Sequence, residues 1–335
     1  MRLVGTKFLK EGQQLARPVY TSSGKIILNS GVVLTQSFIT KLEQMGVQKV
    51  YIEDERFSDV EVIEPLDVTT RNAVTKVLRE NYEKVHDSKE MDEYEIKDAA
   101  KKIVEYTREY VGRGLSILST EVKDEYVIEH SVNVAIITAF IGNKMSYNFG
   151  QLCDLVTGAL IHDLGRDNKP EENPVHTNIG FDIAREHRGF SLHSAKVCYE
   201  HHENYDGTGY PRRIKANEIS EFSRIVRVAD YYDNLLHGYG KDGKSIMPHE
   251  AFEGLLAVSG KVLDPEIVEK FRDTIVFYPN GCTVLLNNGL KGVVVNQNVG
   301  SPQRPVVRAY DDDGVIGNID LLRYLTLFIE EIVAV

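Results

Sequence analysis

The alternation of apolar and polar positions divides the chain into stretches of different period. Near the start, Lys25 to Leu28 and Val47 to Ile52 read as short strands, and between them a helical stretch follows Thr35 with Phe38, Ile39, Leu42 and Met45 on one face. Residues 1–65 are therefore expected to form a small α+β module. Residues 66–118 turn helical and polar, with Ile96, Ala99, Ala100, Ile103 and Val104 as a narrow apolar stripe, and read as a helical linker. Helices of this kind commonly pair with a copy of themselves, so the stripe predicts a homodimer.

From 119 to 275 the period is almost wholly that of a helix. One helix ends at His162 and Asp163 with Leu152, Leu155, Val156, Ala159 and Leu160 as its buried face, and another runs from Glu221 to Leu236. Asp264 and Pro265 read as the N-cap and first turn of a last helix. After Phe277 the signals become those of hairpins: Asn280-Gly281, Asn287-Asn288-Gly289, and β-branched runs at 292–295 and 305–308. The expected fold is mainly α, with an all-helical domain over 119–275, the α+β module before it and a β-rich extension over 276–335.

Composition narrows the function classes. With 42% apolar and 27% charged residues the chain is a globular one. Its charge of 39 − 50 = −11 is scattered, with no basic stripe for a polymeric nucleic acid. A small anion remains compatible, since bound metal supplies local positive charge that the overall balance hides. Cys153, Cys198 and Cys282 are odd in number and outside any zinc-knuckle spacing, and no apolar run approaches membrane-spanning length, the longest lying around Val134 to Ile141. A cytoplasmic protein without a membrane partner is expected. Cys153 and Cys198 lie on apolar helical faces and read as small buried hydrophobes.

The histidines carry the chemistry. Of 10 in the chain, eight fall between 130 and 237, and five of these form the groups Glu129-His130, His162-Asp163, His176 and His201-His202-Glu203, four of them beside an acid. One such histidine is ordinarily a hydrogen-bonded or surface residue; the group is stronger than its members. Imidazoles with a few carboxylates suit zinc, iron or manganese, and a metal pair bridged by a carboxylate suits phosphodiester hydrolysis. Asp163, beside His162 at a helix end, is the natural bridge. Signatures of acyl transfer, P-loop and dinucleotide-binding sites are missing from the sequence.

His162-Asp163-Leu164-Gly165-Arg166 and the run from His201 to Pro211, HHENYDGTGYP, resemble the two signatures of the HD-GYP family. Asp124 to Tyr126 with His130 to Asn133 is similar to its opening helix, and Ser223 to Asp233 to its later metal-binding helix. The resemblance covers about residues 115–275. It implies hydrolysis of cyclic di-GMP, or of a related cyclic dinucleotide, with two divalent metal ions, iron or manganese. It also implies His130, His162, Asp163 and Asp230 as ligands of one metal, with Asp163 bridging to a second held by His176, His201 and His202. A third-metal glutamate of some members is replaced by Tyr126. Arg166 stands where the family has lysine and is expected, with Asp163, to serve catalysis by steadying the phosphate. Tyr210 is expected to contact substrate. Lys241 and Lys244 stand where the family's dinucleotide-binding stretch is replaced by a Gly-rich loop. The segment from Asp163 to His176 is shorter than the family's. Two further readings are a receptor that binds the dinucleotide without turnover and an interaction protein whose GYP loop docks diguanylate cyclase domains.

Overall fold

In a computed structural model, the chain is described for all residues except 21–25, 48, 63, 89, 111–114, 116–125, 167–173, 239–245, 299, 312 and 334–335. It divides into two compact units, one formed by Met1–Glu64 with Ile275–Val335 and the other by Pro65–Thr274.

The first unit joins the two ends of the chain. Strand β1 (Arg2–Gly5) pairs antiparallel with β4 (Lys49–Ile52), and β2 (Val19–Tyr20) with β3 (Ile26–Leu28). Helix α1 (Gln36–Gln44) starts where the Thr35 side chain accepts the Phe38 amide, an N-cap that supplies one of the partners a first helical turn lacks. Its Ile39 and Leu42 join Val4, Leu15, Val19, Leu34, Val50 and Ile52 in an apolar core. Met45, expected on the same face, is 45% exposed, because the helix ends before it and Gly46 turns the chain at φ +74°.

The C-terminal part is a five-stranded antiparallel sheet in the order β8-β7-β6-β5-β9, from β5 (Thr283–Leu286), β6 (Lys291–Asn296), β7 (Val306–Asp311), β8 (Gly314–Asp320) and β9 (Ile329–Ile332). The turn between β5 and β6 closes at Asn287-Asn288-Gly289, where Gly289 takes φ +83° at no steric cost. Val293 packs with Phe57 and Val60, and the Leu3 amide donates to the Gly281 carbonyl at 2.8 Å, so residues from both ends share this unit.

The second unit is helical: α2 (Val68–Ser88), α3 (Glu93–Glu109), α4 (Tyr126–Lys144), α5 (Phe149–Ile161), α6 (Val175–Glu186), α7 (Leu192–Glu200), α8 (Glu221–His237), α9 (Pro248–Val258) and α10 (Pro265–Arg272). Helix α4 is buried on every side from Val127 to Phe140 except at Glu129, as a helix apolar all round must be. Helices α3, α5 and α8 pack against it. Helix α10 is capped by Asp264, whose side chain accepts the Glu266 amide at 2.9 Å, with Pro265 in its first turn.

The stripe Ile96, Ala99, Ala100, Ile103 and Val104 is fully covered inside this unit, on a helix packed against α5 and α2. Asn81 of α2 holds the turn into α3, its Oδ1 accepting the Asp92 amide at 2.7 Å. The stripe is therefore spent within one chain, and the observation that suggested a homodimer through it is gone. The mainly α fold class with a C-terminal β extension is as expected from the change of period. Cys198 and Cys282 are buried, Cys153 is half-buried, and all three are unpaired.

Candidate metal centre

Five segments of the helical unit converge on one buried polar centre. His130 comes from the first turns of α4, and His162 and Asp163 cap and follow α5. His176 lies in the first turn of α6, His201 and His202 follow α7, and Asp230 projects from the middle of α8. The close approach of the α5 end to α6 depends on Gly165: a side chain there would meet the His176 carbonyl at 2.2 Å and the Gly180 amide at 2.5 Å. All seven residues are at most 7% exposed.

They fall into two groups. Asp163, His176, His201 and His202 offer ligand atoms within 4.8 Å of one another, and so do His130, His162 and Asp230. Asp163 touches both groups. Its Oδ1 lies 3.5 Å from the Nε2 atoms of His176 and His201, and its Oδ2 lies 3.7 Å from His162 Nε2.

The ring orientations are set by hydrogen bonds on the opposite nitrogens. His162 Nδ1 donates to the Ala159 carbonyl at 2.8 Å, which leaves Nε2 a lone pair; His201 Nδ1 is likewise 3.0 Å from the Val197 and Cys198 carbonyls. His130 Nδ1 is 2.7 Å from Asp233 Oδ2 and its Nε2 is 3.2 Å from Asp230 Oδ1.

Burial would raise the carboxyls of Asp163 and Asp230, but the surrounding histidines and arginines hold both well below the usual carboxylate range. Burial lowers His162 to about 4, keeping it neutral, whereas at His130 the bonds to Asp230 and Asp233 outweigh burial and push it up to about 10. Three buried carboxylates thus call for positive charge at this spot, and a cation answers that demand as well as a proton does.

Two atoms test whether the residues suit a metal. His162 Nε2 and Asp163 Oδ1 are buried without a hydrogen-bond partner, a costly state for polar atoms unless something coordinates them. Imidazole nitrogens with carboxylate oxygens and no thiolate form a donor set for a divalent cation of borderline or harder character. The residues present fit such an ion.

Arg166 is anchored on the centre through one nitrogen, while its buried Nε–H has no acceptor among the described residues. Its Nη1 donates to Asp163 Oδ2 at 3.0 Å, and its guanidinium lies over the Tyr126 ring, 5.4 Å from the centroid. The Tyr210 ring stacks on His202 with centroids 4.7 Å apart, carried there by a turn in which Gly209 has no room for a side chain. That turn is tied down by the Tyr205 and Asp206 amides, which donate to the Val262 and Lys261 carbonyls. Lys241 and Lys244 lie outside the described residues.

Arg227, Asp233 and Asn234 have no expected site role from the sequence. Arg227 Nη1 donates to Asp230 Oδ2 at 3.0 Å, Asn234 Nδ2 donates to Asp230 Oδ1 at 2.6 Å, and the Tyr126 hydroxyl donates to Asn234 Oδ1 at 3.0 Å. Asp233 bridges His130 and His237, whose Nδ1 is 3.1 Å from Asp233 Oδ1. The signal was present in the spacing: 227, 230, 234 and 237 recur at three and four residues, a polar stripe on a helix whose other positions are mostly apolar.

Comparison with known proteins bears on the same residues. Residues 186–267 match the family model described as HD domain, and residues 283–335 match a KOW domain associated with HD domain. Residues 186–267 are thus similar to an HD domain. The match to the HD domain includes His201, His202 and Asp230, while His130, His162, Asp163 and His176 lie before it.

The chain is 28% identical over 215 residues to a cyclic di-GMP phosphodiesterase of Pseudomonas aeruginosa, covering 58% of this chain and 50% of that one. It is 29% identical over 220 residues to a cyclic di-GMP phosphodiesterase of Thermotoga maritima, covering 60% and 58%. It is 26% identical over 182 residues to a 3'3'-cGAMP-specific phosphodiesterase of Vibrio cholerae, covering 49% and 39%. The chain spans about half the length of the curated relatives it matches. The family expectation drawn from the HD and GYP signatures is borne out. No described helix is long and apolar enough to cross a membrane.

Proposed function

We propose that the chain is a cytoplasmic, metal-dependent phosphodiesterase that hydrolyses cyclic di-GMP. The observation that carries the reading is the placement of Asp163, buried and within 3.7 Å of histidines from both donor groups, which is where a bridging carboxylate has to be. His130, His162, Asp163 and Asp230 would hold one divalent ion, and Asp163, His176, His201 and His202 a second. Iron and manganese both suit this donor set. When bound, such a pair acidifies water and neutralises charge on a phosphodiester.

The chain's own residues do the positioning. Arg166 fixes Asp163 Oδ2, so that Oδ1 is the oxygen turned to His176 and His201. Asp233 orients the His130 ring, and Asn234 holds Asp230. Tyr210 covers His202 on the side of the GYP turn, offering an aromatic face beside the centre. Relatives named for cyclic di-GMP and for 3'3'-cGAMP support a cyclic dinucleotide as the substrate class.

The test is hydrolysis of cyclic di-GMP by protein purified anaerobically with iron or manganese, beside an Asp163→Ala variant, with metal content measured on both. Turnover by the parent and none by the variant is the expected result. A parent that is fully loaded and binds the dinucleotide without cleaving it would be a receptor instead. Preferential cleavage of 3'3'-cGAMP would keep the enzyme and change its substrate.

A further inference from the structure

Arg227 touches residues from both donor groups and from the GYP turn. Its Nη1 reaches Asp230 Oδ2 at 3.0 Å and His202 Nδ1 at 3.3 Å, and its Nη2 donates to Asn204 Oδ1 at 3.2 Å. A guanidinium has five N–H groups and no acceptor. The Nε–H of Arg227 is buried and has no acceptor among the described residues. Arg224, one turn earlier, also has an unpartnered Nε, but it pairs with the N-cap Asp264 of α10 and touches none of the seven residues.

The contact with His202 has a chemical consequence. Since arginine only donates, His202 Nδ1 accepts here and the ring proton sits on Nε2. A histidine that turns Nε2 to a cation carries its proton on Nδ1 instead, where it would face the guanidinium hydrogen to hydrogen. The two arrangements exclude each other. Asp230 and Asn204 can keep Arg227 in place through either, while the N–H that pointed to His202 loses its acceptor.

We propose that Arg227 is a substrate-positioning residue, whose guanidinium, held by Asp230 and Asn204, gives an N–H to a phosphate oxygen of the dinucleotide when His202 serves as a metal donor. The proposal rests on the phosphodiesterase reading above. A planar guanidinium held at two points and offering further N–H groups suits a phosphate oxygen, and charge-assisted bonds of this kind are the strong ones. Arg227 would then act beside Arg166, each anchored by one Nη1 to the carboxylate of a different donor group.

The experiment compares the full-length chain with Arg227→Ala and Arg227→Lys, measuring manganese content and the dissociation constant for cyclic di-GMP by equilibrium dialysis, with and without manganese. Arg227→Ala should keep the parent's manganese content and bind the dinucleotide about tenfold more weakly with manganese present, as loss of one charge-assisted bond implies. The two proteins should bind alike without manganese, and Arg227→Lys should recover part of the loss.

In turnover the alanine variant should show the change mainly in KM. Loss of manganese from Arg227→Ala would make the residue a tether of Asp230 and overturn the proposal, as would equal dinucleotide affinity in parent and variant. A loaded parent that neither binds nor cleaves the dinucleotide would instead sink the phosphodiesterase reading, and this proposal with it.

Discussion

The two units bury different things. The core of the terminal unit around α1 is made of Val4, Leu15, Val19, Leu34, Ile39, Leu42, Val50 and Ile52, where the hydrophobic effect and close packing suffice to explain the choice of residues. The helical unit buries five histidines and three aspartates at its centre, with His162 Nε2 and Asp163 Oδ1 among the atoms lacking a hydrogen-bond partner. An isolated buried polar atom costs roughly 1–3 kcal/mol, so a fold that only needed stability would not assemble such a group. The difference locates function in the helical unit, and among the described residues no ligand-like group of this kind occurs in the other.

The sharpest way to break this comparison is to exchange one residue in each. On the phosphodiesterase reading, Asp163→Asn should lower turnover by roughly a thousandfold, since a bridging carboxylate would serve both donor groups and a metal pair would take several kcal/mol off the barrier. Leu42→Ala should cost about 2–5 kcal/mol of stability in the terminal unit and leave turnover per folded molecule unchanged. Chemical denaturation followed beside steady-state kinetics reads both. A comparable loss of turnover from Leu42→Ala would mean that the division of labour is wrong.

Ile103→Ala sharpens the comparison inside the helical unit. Ile103 is fully buried on α3, so the substitution should destabilise that unit by about 2–4 kcal/mol while metal content per folded molecule stays at the parent's value. Sedimentation should show no change of oligomeric state, because the stripe already has its partner within the chain. A shift in sedimentation would restore the dimer reading.

That stripe shows what a sequence pattern says and leaves out. The recurrence of Ile96, Ala99, Ala100, Ile103 and Val104 states that one face of a helix is covered, but not by what; the cover is α5 and α2 of the same chain. The change from helical to hairpin signals after Phe277 was legible for the opposite reason, since strand period and Asn-Gly turns are local. That Met1–Glu64 and Ile275–Val335 fold as one unit is a long-range fact that neither end's pattern contains. In the site, His and Asp residues announce themselves by type and clustering, as at His201-His202 or His162-Asp163. Arg227 and Asn234 leave only a spacing on α8, whose meaning appears when the helix is placed against His202 and Asp230.

Removing metal should act on one unit alone. A cation bound to the folded helical unit and not to its unfolded chain adds about 2.7 kcal/mol at a hundredfold excess over its dissociation constant. Chelation is therefore expected to lower the thermal transition of the helical unit and leave that of the terminal unit where it was, read by calorimetry on the full chain. Parallel shifts in both transitions, or none in either, would contradict the assignment of the buried centre as the binding place.

The smallest expected effect belongs to a residue that stands one step behind a donor residue. Asp233 holds His130 Nδ1 at 2.7 Å and His237 Nδ1 at 3.1 Å, and is completely buried. Partners of this kind fix the tautomer and raise the basicity of the ring they hold, and their loss typically weakens metal binding about 10–100-fold. Asp233→Asn keeps an oxygen that can accept from His130 but removes the charge, so it should fall near the low end of that range. Asp233→Ala, which leaves both rings without their carboxylate, should fall near the high end. Competition with a manganese-binding dye resolves the two. Equal losses would mean that Asp233 acts through packing alone, and no loss in either would mean that the ring of His130 is held by α4 itself.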